Sequence, residues 1–186
     1  MNRLDALRIV AEVVADEPVI TTCGLTSREY ASLGDKASTL YVLNAMGLAI
    51  PIAIGVAQGT GRRTWVVEGD GGLLMGLNTI ATLGMLRPKQ LVVIVLDNGA
   101  HCSTGGQPTA AATIDLGAVA AGAGIEVHRV STPDELRQAL RAARGRDQPV
   151  FVHARTTTES AAGIPYLQPD PPVITDRFQR YLAART

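Results

Sequence analysis

Thr64-Trp65-Val66-Val67-Glu68-Gly69-Asp70-Gly71-Gly72 and, one helix-length segment later, Leu91-Val92-Val93-Ile94-Val95-Leu96-Asp97-Asn98 decide the fold. Residues 91–96 are an unbroken apolar run, which is how a central parallel strand covered on both faces reads. Residues 64–68 are rich in β-formers and pass straight into the glycine-rich stretch 69–72. Between the two, residues 73–86 are apolar and predict a helix that stops before Pro88. A strand, a glycine loop, a helix and a strand make one crossover unit, so the loops that follow the two strands should lie side by side.

Outward from this unit the same alternation continues. Leu4, Leu7, Ile9, Val10, Val13 and Val14 recur at helical spacing until Pro18, and residues 19–22 then read as a short strand ending in a polar turn. Residues 46–59 are small and apolar all round, as in a buried helix lying close on a sheet, and Gly61 ends them. Downstream come a glycine-rich loop at 98–107, an alanine-rich helix near 114–121 and a strand near 125–130. Thr132, Pro133 and Glu135 then form an N-cap signature ahead of Leu136 and Leu140. Residues 150–153 give a last strand, and a proline-rich tail precedes a short helix around 175–182. Strands alternating with helices specify an α/β fold, an open three-layer arrangement with a mostly parallel sheet and helices on both faces. No repeat or linker interrupts residues 1–186, so a single domain is expected.

Composition narrows the function. The chain has 186 residues, 46% hydrophobic and 18% charged, with 17 basic and 17 acidic side chains. No excess charge is available for nucleic acid or anionic lipid, and 4% aromatic content leaves no stacking surface for single strands. Stretches without charge, such as 40–61, contain Asn44, Pro51 and Gln58, so no transmembrane helix is expected. Cys23 and Cys102 are too few for a disulfide framework, and no secretory leader pattern opens the sequence; a reduced, cytoplasmic protein is expected.

In open parallel sheets ligands bind beyond the carboxyl ends of the strands, which directs attention to the loops after residues 22, 68 and 96. Gly69-Asp70-Gly71-Gly72 sets one carboxylate among backbone amides that can approach phosphate oxygens. Asn98 follows Asp70 by 28 residues, one strand–helix–strand spacing. An aspartate, an asparagine carbonyl and a backbone carbonyl around a diphosphate are the hard oxygen donors Mg²⁺ prefers. Taken singly, Gly69–Gly72 and Asp97-Asn98-Gly99 are also ordinary turn sequences. The glycines at 59, 61, 69 and 71 do not complete a dinucleotide fingerprint, and His101, Cys102 and Cys23 lack paired zinc spacing. His128 and His153 fall in expected strands and read as structural.

The spacing from Gly-Asp-Gly to Asn resembles the diphosphate- and Mg²⁺-binding motif of thiamine-diphosphate enzymes. The flanks Thr21-Thr22-Cys23-Gly24-Leu25-Thr26-Ser27-Arg28-Glu29, Asn44-Ala45-Met46-Gly47-Leu48-Ala49 and Asp97-Asn98-Gly99-Ala100-His101-Cys102-Ser103-Thr104-Gly105-Gly106-Gln107-Pro108-Thr109 resemble the sulfopyruvate and phosphonopyruvate decarboxylase branch, in order, over roughly residues 18–153. The resemblance implies thiamine diphosphate and Mg²⁺ as cofactors. It makes Asp70, Asn98 and the Ala100 carbonyl the metal ligands. It places Met46 under the bent cofactor, and the Asn44 carbonyl with the Met46 N–H at the pyrimidine edge. Gly24, Thr26, Gly69, Gly71, Gly72 and His101 would surround the diphosphate. Gly72 departs from the pattern, since many members carry serine there.

The glutamate that activates the pyrimidine lies, in that family, on a separate domain for which these residues leave no room. None of the seven glutamates is therefore expected to be that group. The resemblance implies the β subunit of a decarboxylase that turns 3-sulfopyruvate into sulfoacetaldehyde and CO₂. A separate α subunit would supply the glutamate in a hetero-oligomer, and the chain alone would be a homo-oligomer. Arg28, Thr104 and Gln107 are candidates for holding the anionic tail of the 2-oxoacid. Phosphonopyruvate is the alternative substrate, and a non-catalytic thiamine-diphosphate-binding module the alternative of another class.

Overall fold

The computed structural model describes residues 1–167 and 169–184. Helix α1 (Arg3–Val13) leads into β1 (Val19–Thr21), α2 (Leu25–Ser32), β2 (Thr39–Tyr41), α3 (Ala49–Thr60) and β3 (Thr64–Gly69). Two short helices, α4 (Asp70–Met75) and α5 (Asn78–Leu86), precede β4 (Leu91–Asp97) and a small hairpin, β5 (Ala100–His101) with β6 (Gln107–Pro108). The chain closes with α6 (Leu116–Gly122), β7 (Glu126–Val130), α7 (Pro133–Arg144), β8 (Val150–Arg155) and α8 (Pro171–Ala183).

The main sheet runs β2-β1-β3-β4-β8-β7, and every neighbouring pair is parallel. After β1 the chain steps to one side, to β2, then crosses back to place β3 on the other side of β1. The connections leaving β1 and β3 therefore diverge and open a crevice at their carboxyl ends. Alternate residues of the central strands serve opposite faces. Trp65, Val67, Val92, Ile94 and Leu96 join Leu7, Val10 and Leu140 on the side of α1 and α7. Val66, Leu91, Val93 and Val95 join Ile50, Leu83 and Leu116 on the side of α3, α5 and α6. Both faces are covered, as the unbroken apolar run of β4 requires. Among the described residues no helix is long and apolar enough to cross a membrane.

Several boundaries moved for local reasons. Residues 73–86 are not one helix: α4 already begins at Asp70 and ends at Met75, with Gly76 as its C-cap, and α5 starts at Asn78. A Cβ on Gly76 would stand 2.5 Å from the Gly47 carbonyl oxygen, and one on Gly47 would stand 2.8 Å from the Gly76 nitrogen. Two backbones touch here, so the helix breaks where the 44–48 turn presses on it. That turn also delays the helix expected from residue 46. Asn44 and Gly47 have φ of 55° and 85°, outside right-handed helix, and α3 begins only at Ala49. Pro51 sits in the first turn of α3, where an N–H has no intrahelical partner to lose. Helices α6 and α8 and strands β7 and β8 lie within a few residues of expectation, and α7 carries the full Thr132–Glu135 capping box.

Strand β2 and helix α2 were not visible as sequence patterns. β2 is only three residues long. α2 is held by polar contacts in place of an apolar stripe: the Ser27 hydroxyl donates to the Thr22 carbonyl at 2.6 Å, and Glu29 pairs with Arg3.

The Gly47–Gly76 contact yields a stability test. Gly47→Ala meets both a left-handed φ and a backbone clash and should cost about 1–3 kcal/mol in chemical denaturation. Gly59→Ala, on the helix with nothing within 4 Å of its Cβ, should be neutral or stabilising by up to about 1 kcal/mol in the same assay.

Candidate functional site

A cavity of about 430 Å³ opens at the carboxyl ends of β1, β3 and β4. Gly24 and Thr26 line it from the start of α2, and Asn44 and Met46 from the 44–48 turn. Gly69, Asp70, Gly71 and Gly72 come from the β3–α4 junction, and Asn98, Ala100, His101 and Thr104 from the segment after β4. The residues expected to hold cofactor and metal are thus brought around one cavity. A second cavity, of about 510 Å³, lies beyond β7 and β8. Its charged groups are already paired, Arg129 with Asp115, Arg155 with Asp97 and Glu135 in the α7 cap, so it offers less free chemistry.

Two substrate-side candidates fall elsewhere. Arg28 turns to the tail, where it donates to the Ile164 and Pro165 carbonyls and stacks 4.0 Å from the Tyr166 ring centroid. Gln107 is exposed and accepts a 3.0 Å hydrogen bond from the Thr104 hydroxyl. Neither lines the cavity. Thr104 does.

Asp70 is the first residue of α4 and only 3% exposed, so it does not lie in a solvent-facing loop as its glycine-rich surroundings suggest. Burial raises its pKa, opposed by the Thr109 hydroxyl that donates to Oδ2 and assisted by nearby Asp97. Opposite it, Asn98 Oδ1 accepts the Ala100 N–H at 2.9 Å, and the Ala100 carbonyl accepts the Cys102 N–H at 3.1 Å. A carboxylate destabilised by burial, an amide oxygen and a backbone carbonyl with a spare lone pair form a set of hard oxygens suited to Mg²⁺. Among the described residues no three His, Cys, Asp or Glu side chains gather to hold a metal.

The Asn98 loop is pinned from below. Asp97, fully buried, accepts from Arg155 at 2.6 Å, pairs with His153 Nε2 at 2.7 Å and accepts the Gly99 N–H at 3.0 Å. Burial alone would raise the Asp97 pKa; the bonds from His153 and Arg155 outweigh it and hold the carboxyl low. His153, read from the sequence as structural, pairs with Asp97 directly beneath this loop.

The glycines set the cavity's shape by what they leave out. A Cβ on Gly71 would lie 2.4 Å from the His101 ring, and one on Gly24 would lie 2.6 Å from Ser103 Oγ. Glycine at both positions lets the hairpin turn fold back over the first and third strand ends. Ser103 Oγ there accepts the Leu25 N–H at 3.3 Å.

Sequence reasoning missed the two other charged residues of the cavity. Arg3 makes a buried bidentate pair with Glu29, both bonds 2.8 Å, and reaches Ser160 at 3.1 Å. Glu68 is wholly buried; its Oε1 accepts the Gly69 N–H at 3.0 Å and its Oε2 has no hydrogen-bond partner. Burial pushes it to about 7 against the lowering effect of Thr22 and the Gly69 N–H, and burial followed by the Glu68 charge raises Cys23. The available signal was a carboxylate closing an apolar strand directly before the glycines.

An open parallel sheet with a glycine-shaped cavity at its switch point is the α/β arrangement in which ligands bind beyond the carboxyl ends of the strands. Residues 20–154 match the thiamine pyrophosphate enzyme C-terminal TPP binding domain, and the chain belongs to that family. It is 41% identical over 183 residues to a phosphonopyruvate decarboxylase of Streptomyces viridochromogenes, covering 97% of this chain and 46% of that protein. It is 36% identical over 186 residues to a sulfopyruvate decarboxylase subunit beta of Methanothermobacter thermautotrophicus, covering 100% of this chain and 98% of that one. The chain thus spans less than half of the first relative and nearly all of the second. Among solved structures, benzoylformate decarboxylase from Polynucleobacter necessarius superposes with a TM-score of 0.72 at 18% identity, over 84% of this chain and 33% of that one. That likeness concerns the fold.

Glu68 gives a pH test on the metal- and cofactor-free chain. Its pKa is 4.5 unfolded and about 7 folded, so its favourable, protonated state is fully present below pH 4.5. Stability should fall as pH rises through the window from 4.5 to about 7, because charge is forced into the buried site. Thermal melting across that window should show the decline, and Glu68→Gln should flatten it.

Proposed function

We propose that this chain is the pyrophosphate-binding β subunit of a thiamine-diphosphate- and Mg²⁺-dependent 2-oxoacid decarboxylase, acting on 3-sulfopyruvate, with residues 1–186 as one domain. The observation that carries this reading is that Asp70, Asn98 and Ala100 all line one cavity at the switch point of the sheet. The near end-to-end match to a sulfopyruvate decarboxylase β subunit supports the subunit assignment. The 41% identity to a phosphonopyruvate decarboxylase favours 3-phosphonopyruvate as the second reading. Free Cys23 and Cys102 fit a reducing compartment, and cytoplasmic location is part of the proposal.

In this reading Asp70, Asn98 and the Ala100 carbonyl hold Mg²⁺, and the backbone at Gly24, Gly69, Gly71 and Gly72 with Thr26 and His101 receives the diphosphate. Met46 supports the cofactor from below, fixed there because Gly47 is locked against Gly76. The Asn44 carbonyl and Met46 N–H hold the pyrimidine edge. Bound thiamine diphosphate would supply the electron sink that takes up the bonding pair as CO₂ leaves the 2-oxoacid. The protein's own contribution is to orient that group, offset its phosphate charge and keep the cavity poor in water. With Arg28 and Gln107 outside the cavity, Thr104 remains as the substrate-side candidate of this chain.

The pyrimidine-activating glutamate is assigned to a separate α subunit. Leu48 and Met75, neighbours of the touching Gly47 and Gly76, are 50% and 67% exposed and offer that subunit an apolar footing beside Met46. A heteromer with at least two copies of each subunit would follow from symmetric pairing. The purified chain alone should form a homo-oligomer and show no turnover. Mixing with the α subunit should give a larger species in light scattering that releases CO₂ from 3-sulfopyruvate, or from 3-phosphonopyruvate under the second reading. Turnover by the single chain would refute the divided site, and activity on neither acid by the pair would refute both substrates.

For the metal, Asp70→Asn keeps the buried shape and Asn98→Ala removes a half-exposed amide. Each should weaken Mg²⁺-dependent thiamine diphosphate binding by about a hundredfold in calorimetry, at the upper end of losses seen when metal sites are disturbed. Unchanged affinity would refute the ligand assignment.

A further inference from the structure

The carboxyl of Glu68 occupies a place where glycine at position 72 leaves a gap. An ideal Cβ on Gly72 would stand 2.1 Å from Glu68 Oε1 and 2.8 Å from its Cδ, with Thr22 Oγ1 3.2 Å away. A side chain at 72 and the present position of Glu68 are therefore mutually exclusive. Thr22 closes one side of the carboxyl, and Glu68 lines the cavity, so a displaced carboxyl yields toward the cavity. Yielding breaks the 3.0 Å bond by which Oε1 accepts the Gly69 N–H, and Gly69 is the N-cap of α4, next to Asp70. The same carboxyl is wholly buried and its Oε2 lacks a partner, an unmet acceptor inside the wall of a binding cavity. A buried, half-satisfied carboxyl is costly, and no packing requirement alone demands one at the end of an apolar strand.

We propose that Glu68 is a positioning residue of the cofactor cradle: its carboxyl fills the volume left by Gly72, ties down the Gly69 N–H and so holds Asp70 where the metal and diphosphate are received. The part of this that concerns the cofactor rests on the decarboxylase reading above. The packing of 68 against 72 does not. Glu68 keeps the mouth of β3 rigid from within the chain, while Asp97 with His153 and Arg155 does the same for the mouth of β4. The glycine at 72 is required by Glu68, so the two positions should behave as one unit under substitution.

The test uses the full chain with its α subunit, and the chain alone, in five forms: wild type, Glu68→Gln, Glu68→Ala, Gly72→Ala and the double variant Glu68→Ala/Gly72→Ala. Thiamine diphosphate affinity is measured by calorimetry at saturating Mg²⁺, the Mg²⁺ midpoint at fixed thiamine diphosphate, and melting temperature without either. Gly72→Ala should weaken thiamine diphosphate binding about tenfold and raise the Mg²⁺ midpoint in the wild-type background, and change either by less than about twofold in the Glu68→Ala background. Glu68→Gln, which keeps the volume and an oxygen for Gly69, should bind within about threefold of wild type, whereas Glu68→Ala should lose about tenfold. Equal effects of Gly72→Ala in both backgrounds would overturn the coupling. Affinity losses that merely follow the melting temperature, with no change in the Mg²⁺ midpoint, would overturn the positioning role. If no form binds thiamine diphosphate even with the α subunit, the decarboxylase reading fails and the role toward the cofactor fails with it. The melting temperatures still decide the packing claim: Gly72→Ala must lower them only where Glu68 is present.

Discussion

Strands β3 and β4 pair in parallel along six residues, with Gly69 opposite Leu96. That register sets Asp70 beside Asp97 and brings the two strand mouths to one level. Side chains alternate between the two faces along each strand, so a slip by one residue would send Trp65 and Val67 to the wrong core and carry Asp70 out of line with Asn98. The apolar cores on both faces thus fix the site at the edge of the sheet. The pairing also explains why two carboxylates can be kept buried so close together: Asp97 is compensated by His153 and Arg155, and Asp70 by Thr109 and, in the proposed holoenzyme, by the metal.

Around this pair the cavity is made by close approach. Gly24, Gly71 and Gly72 give way to Ser103, His101 and Glu68, and Gly47 and Gly76 let two backbones meet. The contacts of Gly24 and Gly71 bring the hairpin, distant in sequence, against two strand mouths, and that of Gly72 folds the end of β3 against the start of α4. The result is a cavity in which glycines let the chain come close at the strand ends, beside side chains such as Met46, Asp70 and His101. Such a cavity suits a phosphate-bearing cofactor, which needs many short hydrogen bonds from a rigid frame more than it needs charge. Polar residues, Ser27 against Thr22 and Arg3 against Glu29, hold α2 in place where no apolar stripe exists to do so.

The assignment of Arg28 shows how a residue can match a pattern and still turn away. Its position on α2 is close to the cavity residues Gly24 and Thr26 in sequence, but a helix sends successive residues to different faces. Arg28 meets the carbonyls of the tail and the Tyr166 ring. Arg3, from a helix that enters before the first strand, is the guanidinium in the cavity wall, and its charge is matched by Glu29. Among the described residues lining the cavity, the arginine is therefore already paired.

The amino-acid sequence by itself determined the alternation of strands and helices, the parallel sheet and the glycine-rich loops at its strand ends, because apolar runs, glycines and a capping box are local signals. Asp70 and Asn98 were legible as a pair because their spacing fits one crossover unit, whereas Ala100, Asn44 and Met46 were legible only through the resemblance of their flanking sequence. Only the tertiary structure decided that Asp70 is buried, that residues 73–86 break at Gly76, that Arg28 and Gln107 face away, and that Glu68 and Arg3 belong to the cavity. Each of these depends on which segments meet in space, and burial and close approach are properties of pairs distant in the chain that no local pattern encodes.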